Sequence, residues 1–218
     1  MLDRRLNVIL YQPGLCGHFL QYLFGLDPSV YSLCGECDRR VFYSFQDLVG
    51  RYGSWHEHHR YHGHRFGWSY EQVTEFITRS HHPLAVIAVH PFKLLADTQI
   101  LSAQKHGVAV HYYTVVASLD TVKLAADQFF PSQVYAKITP KDVIPTLEQR
   151  IQEHEYYQQS LKLQPMDYID LDSIIDVNSF YAEYARVAEL MAVPVVAEDC
   201  VREFYLAWRE SRFPGLSV

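Results

Sequence analysis

The sequence lacks the features that mark several large classes of protein. It has 4 cysteines in 218 residues, too few for a scaffold held together by disulfides. No apolar run approaches the roughly 18 residues that a transmembrane helix needs. The first residues, MLDRRLNVILYQPG, are typical of a first strand and not of a signal peptide. These absences predict a cytoplasmic protein with no membrane partner.

Positive charge is also scarce. Lys and Arg together number 19 against 25 Asp and Glu, which gives a net charge of −6. A protein that coats nucleic acid needs a basic surface, so we expect no nucleic-acid partner. Local basic clusters could still bind a single nucleotide.

Apolar residues are plentiful, at 49% of the chain, and they occur in a regular order. Near-continuous apolar runs, typical of buried parallel strands, are separated by helical patterns. These runs lie at 7–12, 83–90 and 108–118, and a fourth strand with its exit is predicted at 166–175. The alternation predicts a single three-layer α/β/α domain over residues 1–218 with a mainly parallel central sheet. The stretch 31–68, irregular and rich in His and aromatic residues, is interpreted as an insertion.

The helical patterns have apolar residues on one side. The helix after the first strand places four of them on one face: Phe19, Leu20, Leu23 and Phe24. A further helix is predicted from Asp120, and two helices close the chain, the second with Trp208 on its apolar face.

Polar or glycine-containing segments follow the predicted strands, namely the 13–18 loop, His90, Ser118 and Asp170. The carboxyl ends of parallel strands meet at one edge of a sheet, where open α/β proteins bind their ligands. We therefore expect a site at this edge. Asp170 and Asp172 could polarise it, although helix capping is the expected role of Asp172.

The loop in YQPGLCGHFL is the first candidate for binding an anion. Gly14 and Gly17 let the backbone approach a ligand closely. The N–H groups of residues 16–19 would point at an anion at the start of a helix. The loop lacks the Lys and hydroxyl of the Walker pattern GxxxxGK(S/T), which argues against Mg²⁺-dependent nucleotide hydrolysis. A plain strand–helix turn is the alternative.

His90 is the second candidate, at the end of the strand in AVHPFKLLA. A His at a strand's carboxyl end, followed by Pro and a helix, is placed to act as general base on a hydroxyl. The alternative is a packed, hydrogen-bonded His with no catalytic role.

Taken in order, these segments resemble the sulfotransferases over most of the chain except residues 31–80. PGLCGHFLQYL is similar to the family loop P-(K/R)-S-G-T-(T/S) and its helix. AVHPFKLLA is similar to K-T-H-L-P-x-x-L-L, which places His90 at the catalytic base. YIDLDSII is similar to the late Y-E-D-L strand, and two helices with a Trp follow in both.

The resemblance implies a P-loop-like fold and a metal-free transfer of a sulfuryl group from 3′-phosphoadenosine-5′-phosphosulfate to a hydroxyl acceptor, a small molecule or a carbohydrate. It implies His90 and His18 as catalytic residues. The implied donor-binding residues are Gly14, Leu15, Cys16, Gly17, His18, Phe19 and Ser118. A catalytically inactive relative that binds an anion or a protein partner is the alternative, and the oligomeric state is left open.

The chain departs from the family pattern where the family has its phosphate ligands. Leu15 stands near the loop Lys or Arg, and His18 could supply a donor or a positive charge instead. Ala117 falls near the Arg that holds the 3′-phosphate, which leaves Ser118 and Lys123 as the nearby polar candidates. The family's C-terminal R-K-G phosphate clamp is not evident, although Arg209 and Arg212 are cations in that region.

A zinc site is a further hypothesis for the insertion. Cys34 and Cys37 form a CxxC pair, and His56 and His58 an HxH pair, which together could make a Cys₂His₂ site in a zinc-stabilised interaction module. The aromatic residues of the same stretch suit a loop that stacks on a sugar acceptor. A solvated surface loop is the remaining interpretation.

Overall fold

The computed structural model describes residues 4–11, 15–27, 29–31, 76–89, 103–129 and 168–213. Its strands are β1 (Arg5–Leu10), β2 (Val30–Tyr31), β3 (Leu84–Val89), β4 (Ala109–Val116) and β5 (Tyr168–Asp170). Its helices are α1 (Gly17–Phe24), α2 (Leu119–Phe129), α3 (Leu171–Ile175), α4 (Phe180–Met191) and α5 (Glu198–Arg212). Most of the predicted insertion lies outside the described residues.

The five strands form one parallel sheet in the order β2-β3-β1-β4-β5. β1 is the central strand, and its Ile9 is paired with Ala88 of β3 on one side and with Tyr113 of β4 on the other. The prediction of an α/β protein with a parallel sheet is confirmed at this level.

Side chains of β1 alternate between two cores, as the two-residue period of a strand requires. Ile9 and Tyr11 belong to a cluster with residues of α1, α4 and α5. Leu6, Val8 and Leu10 belong to a second cluster with Phe76 and Ala103. Helical segments therefore cover both faces of the sheet around β1.

Aromatic stacking joins α1 to the C-terminal helix α5. The ring of Phe19 stacks on that of Trp208 with centroids 3.6 Å apart, and on that of Phe204 at 5.5 Å. All four residues predicted on the inner face of α1, and Trp208, are buried. The start of α1 is thus fixed by a large apolar contact.

The fourth strand and its exit are predicted together at 166–175; β5 ends at Asp170, and the exit is the helix α3, which begins at Leu171. The Asp170 side chain ends the strand, since its Oδ1 accepts a hydrogen bond from the Asp172 amide (3.1 Å) and so caps α3. The predicted helix cap at Asp172 is therefore wrong by two residues. β2 lies at the start of the predicted insertion and was not expected.

The amino edge of the sheet is occupied by the end of α4. The buried Asn7 side chain donates from Nδ2 to the Met191 carbonyl (3.0 Å). The Tyr113 hydroxyl and Arg5 Nη2 both donate to the Leu190 carbonyl, at 2.9 and 2.6 Å. These bonds satisfy carbonyls that the helix itself leaves without a donor, and they fix α4 to β1 and β4.

Candidate functional site

The loop after β1 reaches α1 through a left-handed residue. Cys16 has φ 57° and ψ 22°, a conformation that costs a residue other than Gly about 1–2 kcal/mol. The carbonyl of Cys16 accepts a hydrogen bond from the Leu20 amide (3.0 Å), which closes the first turn of the helix. The amides of Gly17, His18 and Phe19 precede that bond, so α1 itself offers them no acceptor.

The helix start has the geometry that suits an anion. Successive N–H groups that follow a left-handed residue form a concave surface of positive partial charge. The helix dipole adds to this charge at the first turn. The side chains of Leu15 and Phe19, on either side of this turn, are buried in the core.

Gly17 is required by packing as well as by any ligand. A Cβ atom at this position would overlap the ring of Tyr11. Tyr11 is itself buried at the carboxyl end of β1. The absence of a side chain at residue 17 therefore follows from the close contact of the first helical turn with β1, and a bulky substitution there would damage the fold.

Gln21 fixes the position of α1 against the neighbouring strand. The side chain is buried, and its Oε1 accepts a hydrogen bond from the Ala88 amide of β3 (2.9 Å). Ala88 lies beyond the two residues of β3 that pair with β2. Gln21 thus satisfies a strand amide near the carboxyl edge and holds the helix start close to that edge.

The sheet topology places the loop at a switch point. The connection that leaves β1 runs through α1 on one face of the sheet. The segment that follows the neighbouring strand β3 and leads into β4 contributes Ala103 to the core on the other face. Neighbouring strands whose outgoing connections lie on opposite faces have a crevice between their carboxyl ends, where open α/β proteins bind ligands.

Ser118 lies at the same edge, directly after β4, and is bound to Asp172. Its amide donates to Asp172 Oδ2 (2.7 Å) and its hydroxyl to Asp172 Oδ1 (2.9 Å). The Thr121 hydroxyl donates to the same carboxylate, and the Thr121 amide donates to Ser118 Oγ (3.3 Å). The carboxylate of Asp172 therefore joins α3 to the loop between β4 and α2.

Asp170, at the end of β5, is also hydrogen-bonded to other side chains of the protein. Its Oδ2 accepts from the Ser173 hydroxyl (2.7 Å), and its amide donates to Glu183 Oε1 of α4 (2.8 Å). The sequence did not predict the hydrogen-bond partners of Asp172 and Asp170, in particular Thr121 and Glu183. No local signal could have found them, because each contacts a residue from another element.

The side chain of Arg209, one of the two arginines noted near the C-terminal end of the chain, points into the protein. It is buried, and its Nε donates to the Ile175 carbonyl (2.9 Å) at the end of α3. The Tyr205 hydroxyl donates to the same carbonyl (2.7 Å), and burial raises the pKa of Tyr205 to about 12. Both side chains cap α3.

Several predicted site residues lie outside the described residues. These are Gly14 and His90, and the proposed zinc ligands Cys34, Cys37, His56 and His58. For His18 the structure describes the backbone alone. Within the described ranges, no three His, Cys, Asp or Glu side chains are grouped so that they could hold a metal ion. In the same ranges, no helix is both long enough and apolar enough to cross a membrane.

Comparison with known proteins leaves the family open, since no protein-family model matches the chain and no curated protein sequence matches it. The fold and the site define the class of protein only coarsely. The protein is an α/β protein with a parallel sheet, in which a loop with a left-handed residue connects the central strand to the helix that follows it. Function has to be inferred from that connection and from the order of the sequence motifs.

Proposed function

We propose that the loop before α1 binds a phosphate of 3′-phosphoadenosine-5′-phosphosulfate and that the protein transfers the sulfuryl group to a hydroxyl acceptor. The observation that carries the phosphate site is the left-handed Cys16 ahead of three amides that α1 leaves without an intrahelical acceptor. The sulfuryl chemistry is supported by the order of the motifs in the sequence.

In the proposed reaction the acceptor oxygen attacks sulfur in line with the leaving phosphate oxygen. One sulfur–oxygen bond forms to the acceptor and one breaks to the phosphate. His90 takes the proton of the acceptor hydroxyl. The negative charge that develops on the phosphate oxygen is stabilised by the amides of residues 17–19, with His18 as a further donor.

The contacts at Ser118 and Arg209 favour the loop as the main anion contact. The Ser118 hydroxyl already donates to Asp172, so a bond from it to a 3′-phosphate requires that this bond first be released. The Nε of Arg209 donates to a backbone carbonyl inside the protein. The same two observations support a second candidate function, the binding of an anion without any transfer.

Calorimetry with 3′-phosphoadenosine-5′-phosphate tests the phosphate site in a matched pair of variants. His18→Ala removes the side chain, and His18→Pro also removes the amide, at a first-turn position where proline is tolerated. We expect saturable binding to the wild type that weakens in His18→Pro well beyond its loss in His18→Ala. Equal affinities in the two variants would contradict a site built from backbone amides.

A transfer assay with a labelled donor separates the two candidate functions. A general base contributes about 10²–10⁴-fold to a rate, so we expect His90→Ala to lose activity by that order while it still binds the nucleotide. Binding to the wild type without transfer to any hydroxyl acceptor would favour the second candidate. Full activity of His90→Ala would exclude His90 as the base.

A further inference from the structure

β5 ends the sheet on the side of β4 among the described residues. It has three residues, and its Ile169 is paired with Val115 of β4. The N–H and C=O groups of successive strand residues point to opposite sides. When those of Ile169 point toward β4, those of Tyr168 and Asp170 therefore point away from it. An edge of this kind is a template for the addition of another strand.

Two side chains of α4 form hydrogen bonds with the backbone groups that point away from β4. Glu183 Oε1 accepts a hydrogen bond from the Asp170 amide (2.8 Å). Arg186 Nη2 donates to the Tyr168 carbonyl (2.8 Å), and its guanidinium lies 5.1 Å from the centroid of the Tyr168 ring. The carbonyl before Ile169 and the amide after it are therefore both satisfied from one helix.

The two side chains are also joined to each other. Arg186 Nε donates to Glu183 Oε2 (2.7 Å), and Arg186 Nη2 donates to Glu183 Oε1 (2.6 Å). The Glu183 side chain is 9% exposed against 36% for Arg186, so the carboxylate is the inner member of the pair. Its hydrogen bond is the main cause that raises the pKa of Arg186.

This pattern reproduces the contacts of a parallel strand. In a parallel pair, one residue accepts from the amide that follows its partner and donates to the carbonyl that precedes it. We propose that the Glu183–Arg186 pair takes the place of a sixth strand and closes the β5 edge against pairing with a second copy of this chain. The proposal is independent of the function proposed above.

The test compares two ion pairs of the chain. Glu183→Ala/Arg186→Ala opens the β5 edge. Glu198→Ala/Arg202→Ala, the control, removes an ion pair between partly exposed side chains of α5 (48% and 39% exposed, respectively). In sedimentation velocity over a range of concentrations, we expect the first variant to associate more strongly as concentration rises, and the control to behave as the wild type. A folded first variant that sediments as the wild type does overturns the proposal.

Hydrogen exchange at the Asp170 amide shows whether association uses the edge. This amide should be protected in the wild type, exchange fast in the dilute first variant, and regain protection when that variant associates. Association that leaves the amide in fast exchange overturns the proposal. If the double variant does not fold, Arg186→Ala alone frees the Tyr168 carbonyl. If this single variant folds and sediments as the wild type does, the proposal is likewise overturned.

Discussion

Two residues other than glycine adopt a left-handed backbone in the described ranges, Cys16 with φ 57° and Ala192 with φ 55°. Ala192 is exposed and directly follows α4, and its amide donates to the carbonyl of Glu189 (3.0 Å). This is the helix-end position where glycine is preferred, because it has no Cβ to clash in this conformation.

Ala192→Gly should therefore raise the free energy of unfolding by about 1 kcal/mol, after the entropy cost of glycine in the unfolded chain. The control is Ala185→Gly inside α4, which should lower it by about 1 kcal/mol. Denaturant titration measures both. Destabilisation by both substitutions would show that residue 192 is not left-handed.

Asp176 makes the stability of the start of α4 depend on pH. Its carboxylate accepts from the Ser179 hydroxyl (2.7 Å) and the Ser179 amide (3.2 Å). These bonds, the hydroxyl first, hold the pKa of Asp176 below its ordinary value of 3.8. A lowered pKa in the folded state adds stability that is complete above the unfolded pKa and is lost as pH falls through the folded pKa.

Asp176→Asn removes the titrating group. We expect it to be less stable than the wild type at neutral pH, with a difference that shrinks as pH falls below the ordinary value of 3.8. Denaturant titration at a series of pH values measures this difference. A difference that stays constant across that range would mean that the carboxylate charge has no part in holding Ser179.

At the scale of elements, Asp172 joins the loop after β4 to helix α3. It accepts from the Ser118 amide and hydroxyl and from the Thr121 hydroxyl. Asp172→Ala removes all three bonds at once, and we expect it to cost about 2 kcal/mol of stability.

Asp120→Ala is the control for this substitution. Asp120 is 97% exposed, and its ion pair with Lys123 has an N–O distance of 3.7 Å. Its loss should change stability by at most about 1 kcal/mol, as for other surface pairs. Thermal unfolding followed by circular dichroism compares the two variants, and equal losses would contradict a structural role for the Asp172 carboxylate.

The sequence predicted β1, β3 and β4 to within about two residues, because strands buried on both faces leave continuous apolar runs. β2 has two residues, too few to show any period. In YIDLDSII the strand ends and a helix begins within one short apolar run, and such a run fits a strand and a helix equally, so it does not locate the boundary by itself. Asp170 marks the boundary between strand and helix in this stretch, since an Asp before an apolar run is also a helix-cap signal.

At the scale of the whole molecule, the sequence predicts parallel strands and not their order. The central position of β1 depends on which strands pair, and β1 pairs with strands that begin 79 and 104 residues after it, which no local pattern specifies. The candidate edge could be predicted because parallel strands end together. The bonds of Ser118 to Asp172, 54 residues away, and the cap of Ile175 by Arg209 could not.

The central claim, a phosphate site made of the first amides of α1, is tested most directly by nuclear magnetic resonance. The labelled protein is titrated with 3′-phosphoadenosine-5′-phosphate while the backbone amide signals are followed. We expect saturable shifts that are largest at Gly17, His18 and Phe19, because an anion held there accepts their hydrogen bonds. Shifts that centre on other residues, or no saturable shift at millimolar ligand, would contradict the claim.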